Sequence, residues 1–301
     1  MDIAVTGSHG LIGNALVRSL RADGHRVRAL VRSQPRPGSD DVRWDPAGGE
    51  LHPDALEGTH AVVHLAGAGV ADAPWNDQQR RRILDSRVQS TTLLARRLAE
   101  LDAKPAVLVS GSAIGIYGSH RGDEQLTETS APGDDFLADV CCRWEAATTP
   151  AADAGVRVAH VRTGVVLSAD GGALAKQLPV YRLGAGGRAG DGQQWLSWVS
   201  LADEVGAIRF LIDHAVSGPV NVTAPSPVTN AEFAKTLGRV LHRPAVVSIP
   251  RAVTKLPFGV GALADSLLFA SQRVRPAVLE GNGYRFADTR LEATLRRLLA
   301  R

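Results

Sequence analysis

The chain has 301 residues, which exceeds one typical domain and fits a large α/β domain with a smaller lobe. Its net charge is +3, and its arginines are scattered among acidic residues, so we predict no nucleic-acid-binding surface. Hydrophobic residues make up 44% of the chain, enough for a full core, yet no apolar segment reaches bilayer length, which predicts a soluble protein without a membrane partner.

Cysteine usage indicates a reducing compartment. The only two cysteines are the neighbours Cys141 and Cys142, which cannot form an ordinary unstrained disulfide. There is no metal-ligand spacing, so we predict no metal site. Because the first predicted strand already includes Ile3, there is no room for a signal peptide. We expect a cytoplasmic protein, a monomer or a homodimer, that acts on a small molecule.

A glycine-rich turn follows the first predicted strand, residues 2–6. The turn has a G-x-x-G-x-x-G spacing, and apolar residues at helical spacing follow over 11–23. In a dinucleotide site the first glycine allows the tight turn, the second lets the backbone approach the pyrophosphate, and the third lets the helix pack closely. The alternative is an ordinary glycine-rich turn. The residues predicted to contact the cofactor here are Thr6, Gly7, Gly10, Leu11, Ile12 and Gly13.

The end of the second predicted strand, residues 26–32, indicates which dinucleotide binds. An NAD site normally has an acidic residue there, which binds the ribose 2′-hydroxyl. This strand ends instead in Arg32, and the next acidic residue is Asp40. A guanidinium at this place can pair with a 2′-phosphate through two hydrogen bonds. We therefore predict NADP as the cofactor; the alternative is that Arg32 is a solvated surface residue.

Strands and helices alternate along the rest of the first half, as a doubly wound parallel sheet requires. The other predicted strands are 42–44, 61–65, 106–110 and 158–162, and the other predicted helices are 77–101, 135–153 and, after a capping Thr229, 230–241. After Thr163 the chain becomes rich in glycine loops, at 171–172 and 184–192. The stretch 186–195 has the composition of a loop that covers a site.

This pattern predicts a Rossmann-like doubly wound α/β fold with a smaller C-terminal α+β substrate lobe. Residues 1–165 are expected to form the NADP-binding domain, and 203–224 are expected to return to it. Residues 166–301 are expected to form mainly the substrate lobe. Four tryptophans, which either border the cleft or belong to the core, are Trp75, Trp144, Trp195 and Trp198.

Several further motifs strengthen the assignment. They are Val62–Gly67, Asp85–Val88, Gly133–Leu137, Trp144–Ala147, Arg162–Leu167, Arg182–Gly184, Trp195–Trp198, Ala270–Val274 and Gly281–Tyr284. Together with the glycine turn they resemble the extended short-chain dehydrogenase/reductases, and more closely their atypical epimerase-family branch, the SulA-like nucleoside-diphosphate-sugar epimerases with a small C-terminal domain. The resemblance implies further cofactor contacts at Leu65, Ala66, Gly67, Arg87, Ser110 and Val166.

The catalytic residues of ordinary members of this superfamily are largely replaced. Their Asn corresponds to Arg87, their Tyr to Leu137 and their Lys to Cys141, while their Ser corresponds to Ser112 or to Ala113. The Tyr normally exchanges a proton with the substrate while the Lys lowers the pKa of that Tyr. Leu137 cannot exchange a proton. Cys141 is either a nucleophile or a buried structural thiol.

The remaining candidates for proton transfer are few. Ser112 and Tyr117 are the predicted catalytic residues, although a Tyr-Gly pair at this place can also serve packing and the turn. Asp135 and Glu128 are the carboxylates considered for the same role, and His64 is interpreted as a core histidine. Arg87 either contacts the phosphates or ribose of the cofactor or lies solvated on its helix.

Three functions follow as hypotheses. The first is an NADP-dependent oxidoreductase or epimerase with an unusual proton donor. Its substrate is expected between the nicotinamide, held near Leu65, Ala66 and Val166, and the loop 186–198. The second is a non-catalytic NADP(H)-binding sensor or scaffold, favoured by the missing Tyr and Lys. A true sugar-nucleotide epimerase is the third and the weakest, because its chemistry relies on the same Tyr.

Overall fold

The computed structural model describes residues 1–35, 37–255, 257 and 260–300. Its strands are β1 (Asp2–Thr6), β2 (Arg26–Val31), β3 (Val42–Arg43), β4 (Ala61–His64), β5 (Val107–Ala113), β6 (His120–Leu126), β7 (Arg157–Thr163), β8 (Val165–Leu167), β9 (Trp195–Leu196), β10 (Trp198–Ser200), β11 (Gly218–Val222), β12 (Val228–Thr229) and β13 (Ser271–Val274). Its helices are α1 (Leu11–Ala22), α2 (Asp77–Glu100), α3 (Phe136–Ala146), α4 (Thr149–Asp153), α5 (Gly172–Arg182), α6 (Leu201–Asp213), α7 (Asn230–Val240), α8 (Val260–Leu268), α9 (Ala277–Gly281) and α10 (Leu291–Leu299).

Seven of these strands form one parallel sheet. Its order is β3-β2-β1-β4-β5-β7-β11, and all of its neighbouring strands run parallel. The chain winds outward in one direction from β1 and in the other direction from β4. Open α/β sheets bind ligands at such a reversal, outside the carboxyl ends of the strands. The predicted Rossmann-like fold class is confirmed.

Local signals set most element boundaries in the first half. The bounds of β1, β2, β4, α1 and α2 agree with the predictions within one residue. Helix α2 begins where the Asn76 side chain accepts a hydrogen bond from the Gln79 amide, and α7 begins where Thr229 does the same for Glu232. Such caps satisfy backbone N–H groups that have no partner within the helix.

Two predictions were wrong in detail. The single helix predicted over 135–153 is two helices, α3 and α4, with a break at Ala147 and Thr148. Pro150, in the first turn of α4, explains the break, because it has no N–H to donate to the Ala146 carbonyl of a continuous helix. The strand predicted to end at Ser110 continues to Ala113, since β5 pairs with β7 along its full length.

Both faces of the sheet are covered. One face packs against α1 and α6 through residues such as Val5, Leu16, Val109 and Ile208. The other packs against α2 and α4 through residues such as Leu94 and Leu108. Burial on both faces is the reason why these strands are almost uniformly apolar.

The C-terminal part has a separate core that rests on the sheet. Helices α5, α7 and α10 pack around Trp198, which is fully buried. Strand β13 pairs with β6, and β10 pairs with β8, so this part is joined to segments that follow β5 and β7. Strand β11 and helix α6 come from the second half of the chain and complete the central sheet and its cover. In the described part of the chain, no helix is long and apolar enough to cross a membrane.

Candidate functional site

A cleft of about 580 Å³ lies at the carboxyl ends of β1, β2 and β4. Six of the predicted cofactor residues line it, namely Gly7, Gly10, Arg32, Leu65, Ala66 and Gly67. The cleft therefore brings together the glycine turn, the end of the second strand and the segment after β4. These three segments are far apart in the chain, and the parallel sheet brings their ends to one edge.

The glycine turn has backbone geometry that other residues cannot adopt without strain. Gly7 has φ of +66°, and its carbonyl accepts a hydrogen bond of 2.9 Å from the Gly10 amide. A Cβ on Gly13 would lie 2.2 Å from the Gly7 oxygen, so α1 packs directly on the turn. Gly10 caps α1 without any side-chain acceptor for the first amides of the helix. Such a helix N-terminus is suited to bind an anion.

Thr6 and His64, the last residues of β1 and β4, are fully buried and contact each other next to this turn. The Thr6 hydroxyl accepts hydrogen bonds from the amides of Leu65 and Ala66 and lies 2.8 Å from His64 Nδ1. The other ring nitrogen of His64 lies 2.9 Å from the Thr91 hydroxyl. Burial lowers the pKa of His64 to about 3, so the imidazole is neutral. His64 is the core histidine that we predicted, and Thr6, which is fully buried, positions the segment after β4.

Arg32 is exposed at the end of β2 and lines the cleft. Asp40, the next acidic residue in sequence, pairs with Arg26 at the opposite end of the same strand. Asp40 therefore does not take the place of the acidic residue that an NAD site has at the end of this strand. Asp45, which sequence reasoning did not single out, does line the cleft, and its carboxylate also accepts a hydrogen bond from the Ala47 amide.

One face of α2 forms a wall of the cleft that the sequence analysis missed. The wall residues recur at helical spacing, and they are Arg82, Asp85, Ser86, Gln89 and Ser90. Ser8, His9 and Trp44 complete the lining near the glycine turn and β2. The helical spacing is visible in the sequence, but the face that it marks is recognisable only when the position of β4 is known.

The other predicted cofactor residues are not among those that line the cleft. Leu11 and Ile12 begin α1, and Leu11 packs against Gly171 and Gly172. Ser110 is fully buried in β5. Val166 is half-buried in β8 and pairs with Val199 of β10, where the predicted covering loop ends.

Arg87 lies behind the segment that follows β4. Its guanidinium donates hydrogen bonds to the carbonyls of Ala68, at 2.9 Å, and Ile83, at 3.0 Å. Its Cζ would be 3.2 Å from a Cβ on Gly67, a residue that lines the cleft. The guanidinium also stacks on the Trp144 ring, 5.0 Å from the centroid. Arg87 is thus held beside the cleft by backbone carbonyls and an aromatic ring.

Leu137 and Cys141, which we expect at the positions of the usual Tyr and Lys, do not ionise near neutral pH. Leu137 packs against Gly115 in the turn after β5, and Cys141 Sγ lies in the same place. Burial raises the pKa of Cys141 to about 12, which keeps the thiol protonated. Cys141 therefore has the properties of a buried structural thiol.

Ser112 belongs to a buried polar cluster at the end of β5. Its hydroxyl donates a hydrogen bond of 2.7 Å to Glu145 of α3. Glu145 accepts two more from Arg162 of β7, at 2.8 and 2.9 Å. Both side chains of this ion pair are almost completely buried, and although burial opposes ionisation, the guanidinium holds the pKa of Glu145 below its usual value. Sequence reasoning did not predict this pair.

Tyr117 extends the same cluster away from the cleft. Its hydroxyl donates to Asn221, at 2.6 Å, and accepts from Arg162, at 3.0 Å. The side chain has no exposed surface, and burial raises the pKa of its phenol. The structure therefore places the Tyr117 hydroxyl in the core between β7 and β11.

The two carboxylates considered for proton transfer, Asp135 and Glu128, accept hydrogen bonds from backbone amides. Asp135 caps α3 by accepting from the amide of Ala138, and it also accepts from the amide and hydroxyl of Ser119. Glu128 accepts from the amides of Asn221 and Val278. Both act as structural acceptors that fix loops to the sheet.

A second cleft, of about 730 Å³, lies beside the C-terminal part and includes part of the predicted covering loop. The residues that line it are His120, Gly122, Asp123, Asp191, Gln193, Gln194, Trp195, Thr229, Arg251, Phe269 and Ser271. Trp195 donates to Asp123 and lies under Arg273, 4.5 Å from the ring centroid. Trp75 and Trp198 are core residues.

Comparison with known proteins agrees with this geometry. Residues 3–223 match the model of the "NAD dependent epimerase/dehydratase family", and residues 249–298 match "Domain of unknown function (DUF1731)". The chain is 42% identical over 285 residues to "Epimerase family protein Mb2239" of Mycobacterium bovis, covering 94% of this chain and 93% of that protein.

Two solved structures are similar along the whole chain. The crystal structure of human epimerase family protein SDR39U1 (isoform 2) with NADPH has a TM-score of 0.89 and 33% identity. The match covers 100% of this chain and 99% of that chain. The nucleoside-diphosphate sugar epimerase from Corynebacterium glutamicum has a TM-score of 0.81 and 41% identity. The match covers 99% of this chain and 58% of that longer chain.

Proposed function

The chain belongs to the epimerase family of atypical short-chain dehydrogenase/reductases, with a C-terminal DUF1731 domain, and from this premise we propose that it binds NADP(H) and acts as an oxidoreductase or epimerase-type enzyme on a small molecule. The observation that carries the proposal is the cleft at the reversal of the sheet, which unites the glycine turn with Arg32. The NADPH in the structure of the human relative supports the choice of cofactor.

The residues of the cleft fit this cofactor. The uncapped N-terminus of α1, together with Gly7 and Gly10, would hold the pyrophosphate. Arg32 would hold the 2′-phosphate, since it is exposed and Asp40 is paired elsewhere. Leu65, Ala66 and Gly67 would line the path towards the nicotinamide. When bound, NADP(H) supplies hydride transfer to or from a substrate carbon.

The rest of the site would shape the substrate pocket. Val166 and the loop that ends at β10 lie on the side of the C-terminal part, which we propose as the substrate lobe. Ser112 remains our candidate for a hydrogen bond to the substrate oxygen, because Leu137 offers none. Glu145 and Arg162 would fix the orientation of the Ser112 hydroxyl.

A non-catalytic role as an NADP(H) sensor is the second candidate. One observation favours it: Cys141, expected at the position of the usual Lys, is protonated, and the Tyr117 hydroxyl is engaged with Asn221 and Arg162. Leu137, expected at the position of the usual Tyr, has no proton to exchange. A sensor needs the nucleotide site and a segment that responds to it, and it needs no proton donor.

Two measurements test these proposals. Calorimetry with NADPH should give one binding site per chain, and no detectable heat or affinity would refute the cofactor assignment. A screen of NADPH oxidation against carbonyl and quinone compounds separates the two roles. Turnover of any compound supports the enzyme, whereas binding without turnover, accompanied by a nucleotide-dependent change in protease resistance of residues 186–198, supports the sensor.

A further inference from the structure

The guanidinium of Arg87 is a charge without a counter-charge. In the described ranges, no carboxylate lies within ion-pair distance of it, and its hydrogen bonds go to the carbonyls of Ala68 and Ile83. A half-buried cation of this kind is costly, because carbonyl dipoles and an aromatic face replace only part of its hydration. Its desolvation lowers its pKa, as expected for a cation removed from water.

The titratable neighbours of Arg87 do not neutralise it. Cys141 on α3 is protonated, because its pKa is raised to about 12, and His64 on β4 is neutral, because its pKa is lowered to about 3. These two groups are the ones that interact electrostatically with the guanidinium from the elements around it. A full positive charge is therefore maintained beside the cleft.

The ring beneath this charge has a donor without an acceptor. Trp144 is 7% exposed, and its indole Nε1 is buried with no hydrogen-bond partner in the described structure. The indole edge next to that nitrogen faces the end of β5, since Cζ2 lies 2.9 Å from the position of a Cβ on Gly111. A buried N–H without an acceptor is unfavourable, and an acceptor supplied by a ligand would remove that penalty.

We propose that Arg87 and the indole N–H of Trp144 form an oxyanion subsite beside the cleft, behind Gly67. Its ligand is a phosphate or carboxylate group, since such a group supplies both the negative charge and the acceptor that the two side chains lack. The oxyanion belongs either to the pyrophosphate of the cofactor or to an acidic substrate. Only the first source rests on the proposed function, since a small anion can be tested without nucleotide.

The experiment combines calorimetry with NMR of the tryptophan indole N–H signals. NADPH, adenosine 2′,5′-bisphosphate and inorganic phosphate are each titrated into the wild type and into Arg87→Gln, and phosphate is also titrated into the NADP⁺-loaded protein. Trp144→Phe assigns the indole signal and removes the N–H while it keeps an aromatic ring under the guanidinium. Arg81→Gln, an exposed position on the same helix and outside the lining of the cleft, is the matched control.

Each outcome is decisive. If the cofactor supplies the oxyanion, Arg87→Gln weakens NADPH by about tenfold or more but leaves adenosine 2′,5′-bisphosphate unchanged, and Arg87→Lys restores part of the loss. If a substrate supplies it, NADPH affinity is unchanged, and phosphate shifts the Trp144 signal in the wild type but not in Arg87→Gln.

The subsite is refuted if neither NADPH nor phosphate moves the Trp144 signal, or if the response persists in Arg87→Gln. It is also refuted if Arg87→Gln and Arg81→Gln behave alike in every titration. Failure of the proposed function gives a different result, since the wild type and Arg81→Gln would then both fail to bind NADPH, while the titration of phosphate without nucleotide would still report on the subsite.

Discussion

Three arginines illustrate how surroundings determine the role of one residue type. Arg32 is exposed at a strand end, Arg87 is half-buried against carbonyls and an indole ring, and Arg162 is buried in an ion pair with Glu145. The first is free to bind a ligand, the second carries uncompensated charge, and the third is neutralised within the core. Only the last arrangement is complete without a ligand.

The preference for NADPH over NADH should depend on Arg32. Because a guanidinium can form two charge-assisted hydrogen bonds with a 2′-phosphate, Arg32→Ala should remove about 1.5–3 kcal/mol of that preference. Calorimetry with both nucleotides measures it, and Arg18→Ala, an exposed position on α1 outside the lining of the cleft, is the control. Equal wild-type affinity for the two nucleotides would overturn the assignment of Arg32.

Gly10→Val should abolish nucleotide binding and leave the fold largely intact. The added side chain would fill space that the pyrophosphate needs, while its Cβ would lie 3.3 Å from the Gly7 oxygen, which requires only a small shift. Gly281→Val, where an added Cβ would contact nothing within 4 Å, is the matched control. Normal NADPH binding by Gly10→Val, at an unchanged Tm, would mean that the phosphates lie elsewhere.

At the scale of elements, α6 joins the two halves of the chain. It begins at Ser200, whose hydroxyl accepts from the Asp203 amide, and it covers the sheet with Val205, Ala207 and Ile208. Asp203 in its first turn accepts from the amides of Ala287 and Asp288. The helix thereby fixes the C-terminal segment to the sheet, which a helix predicted from sequence alone does not reveal.

The same turn contains a second buried acid, Glu204, that makes stability depend on pH. Its carboxyl accepts a hydrogen bond of 2.8 Å from Thr163, and burial raises its pKa from 4.5 to about 8. Between these values the unfolded chain loses the proton while the folded protein keeps it. The free energy of unfolding therefore falls as pH rises through this window, and it is highest, for this group, at the acidic end.

Glu204→Gln should remove that dependence, since the amide keeps an acceptor for Thr163 and does not ionise. Relative to the wild type, the variant should gain on the order of 3 kcal/mol in free energy of unfolding between about pH 4.5 and 8. Urea unfolding at both pH values measures the gain, with Asp213→Asn, exposed at the end of the same helix, as the control. A difference that does not vary with pH would show that Glu204 is ionised in the folded state.

At the scale of the whole molecule, the site depends on both halves of the chain. The first half supplies the cleft, whereas the paired strands β8 and β10, which we propose to border the substrate, come from the second half. Helix α3 contributes Leu137 and Cys141, which we expect at the positions of the superfamily's Tyr and Lys, together with Trp144 and Glu145. If these residues do replace the Tyr and Lys, proton transfer to a substrate requires other groups or does not occur.

If the protein is an enzyme, Ser112→Ala combined with Tyr117→Phe should lower kcat by roughly 100-fold or more without weakening NADPH binding. The reason is that Ser112 is our candidate for the hydrogen bond to the substrate oxygen, while Tyr117, whose hydroxyl lies in the core, is included because the sequence predicted it as catalytic. Single variants and Tm values are needed as controls, because Tyr117→Phe also removes the hydrogen bonds to Asn221 and Arg162. Turnover that survives the double substitution would place the proton donor elsewhere.

The amino-acid sequence by itself determined the features that depend on neighbours along the chain. The spacing of Gly7, Gly10 and Gly13, the buried strands 2–6 and 26–31 and the caps at Asn76 and Thr229 follow from local periodicity and turn chemistry. The motifs also identified the family. None of these features requires knowledge of which distant segments come together.

The tertiary structure alone decided which distant side chains share a site. Tyr117 and Asn221 are 104 residues apart and form one hydrogen bond, and Arg162 of β7 pairs with Glu145 of α3. Arg87 of α2 faces the Trp144 ring of α3 because these two helices pack against each other. Periodicity predicts which face of an element is apolar, but the partner across the interface is selected by packing and burial, which no local pattern encodes.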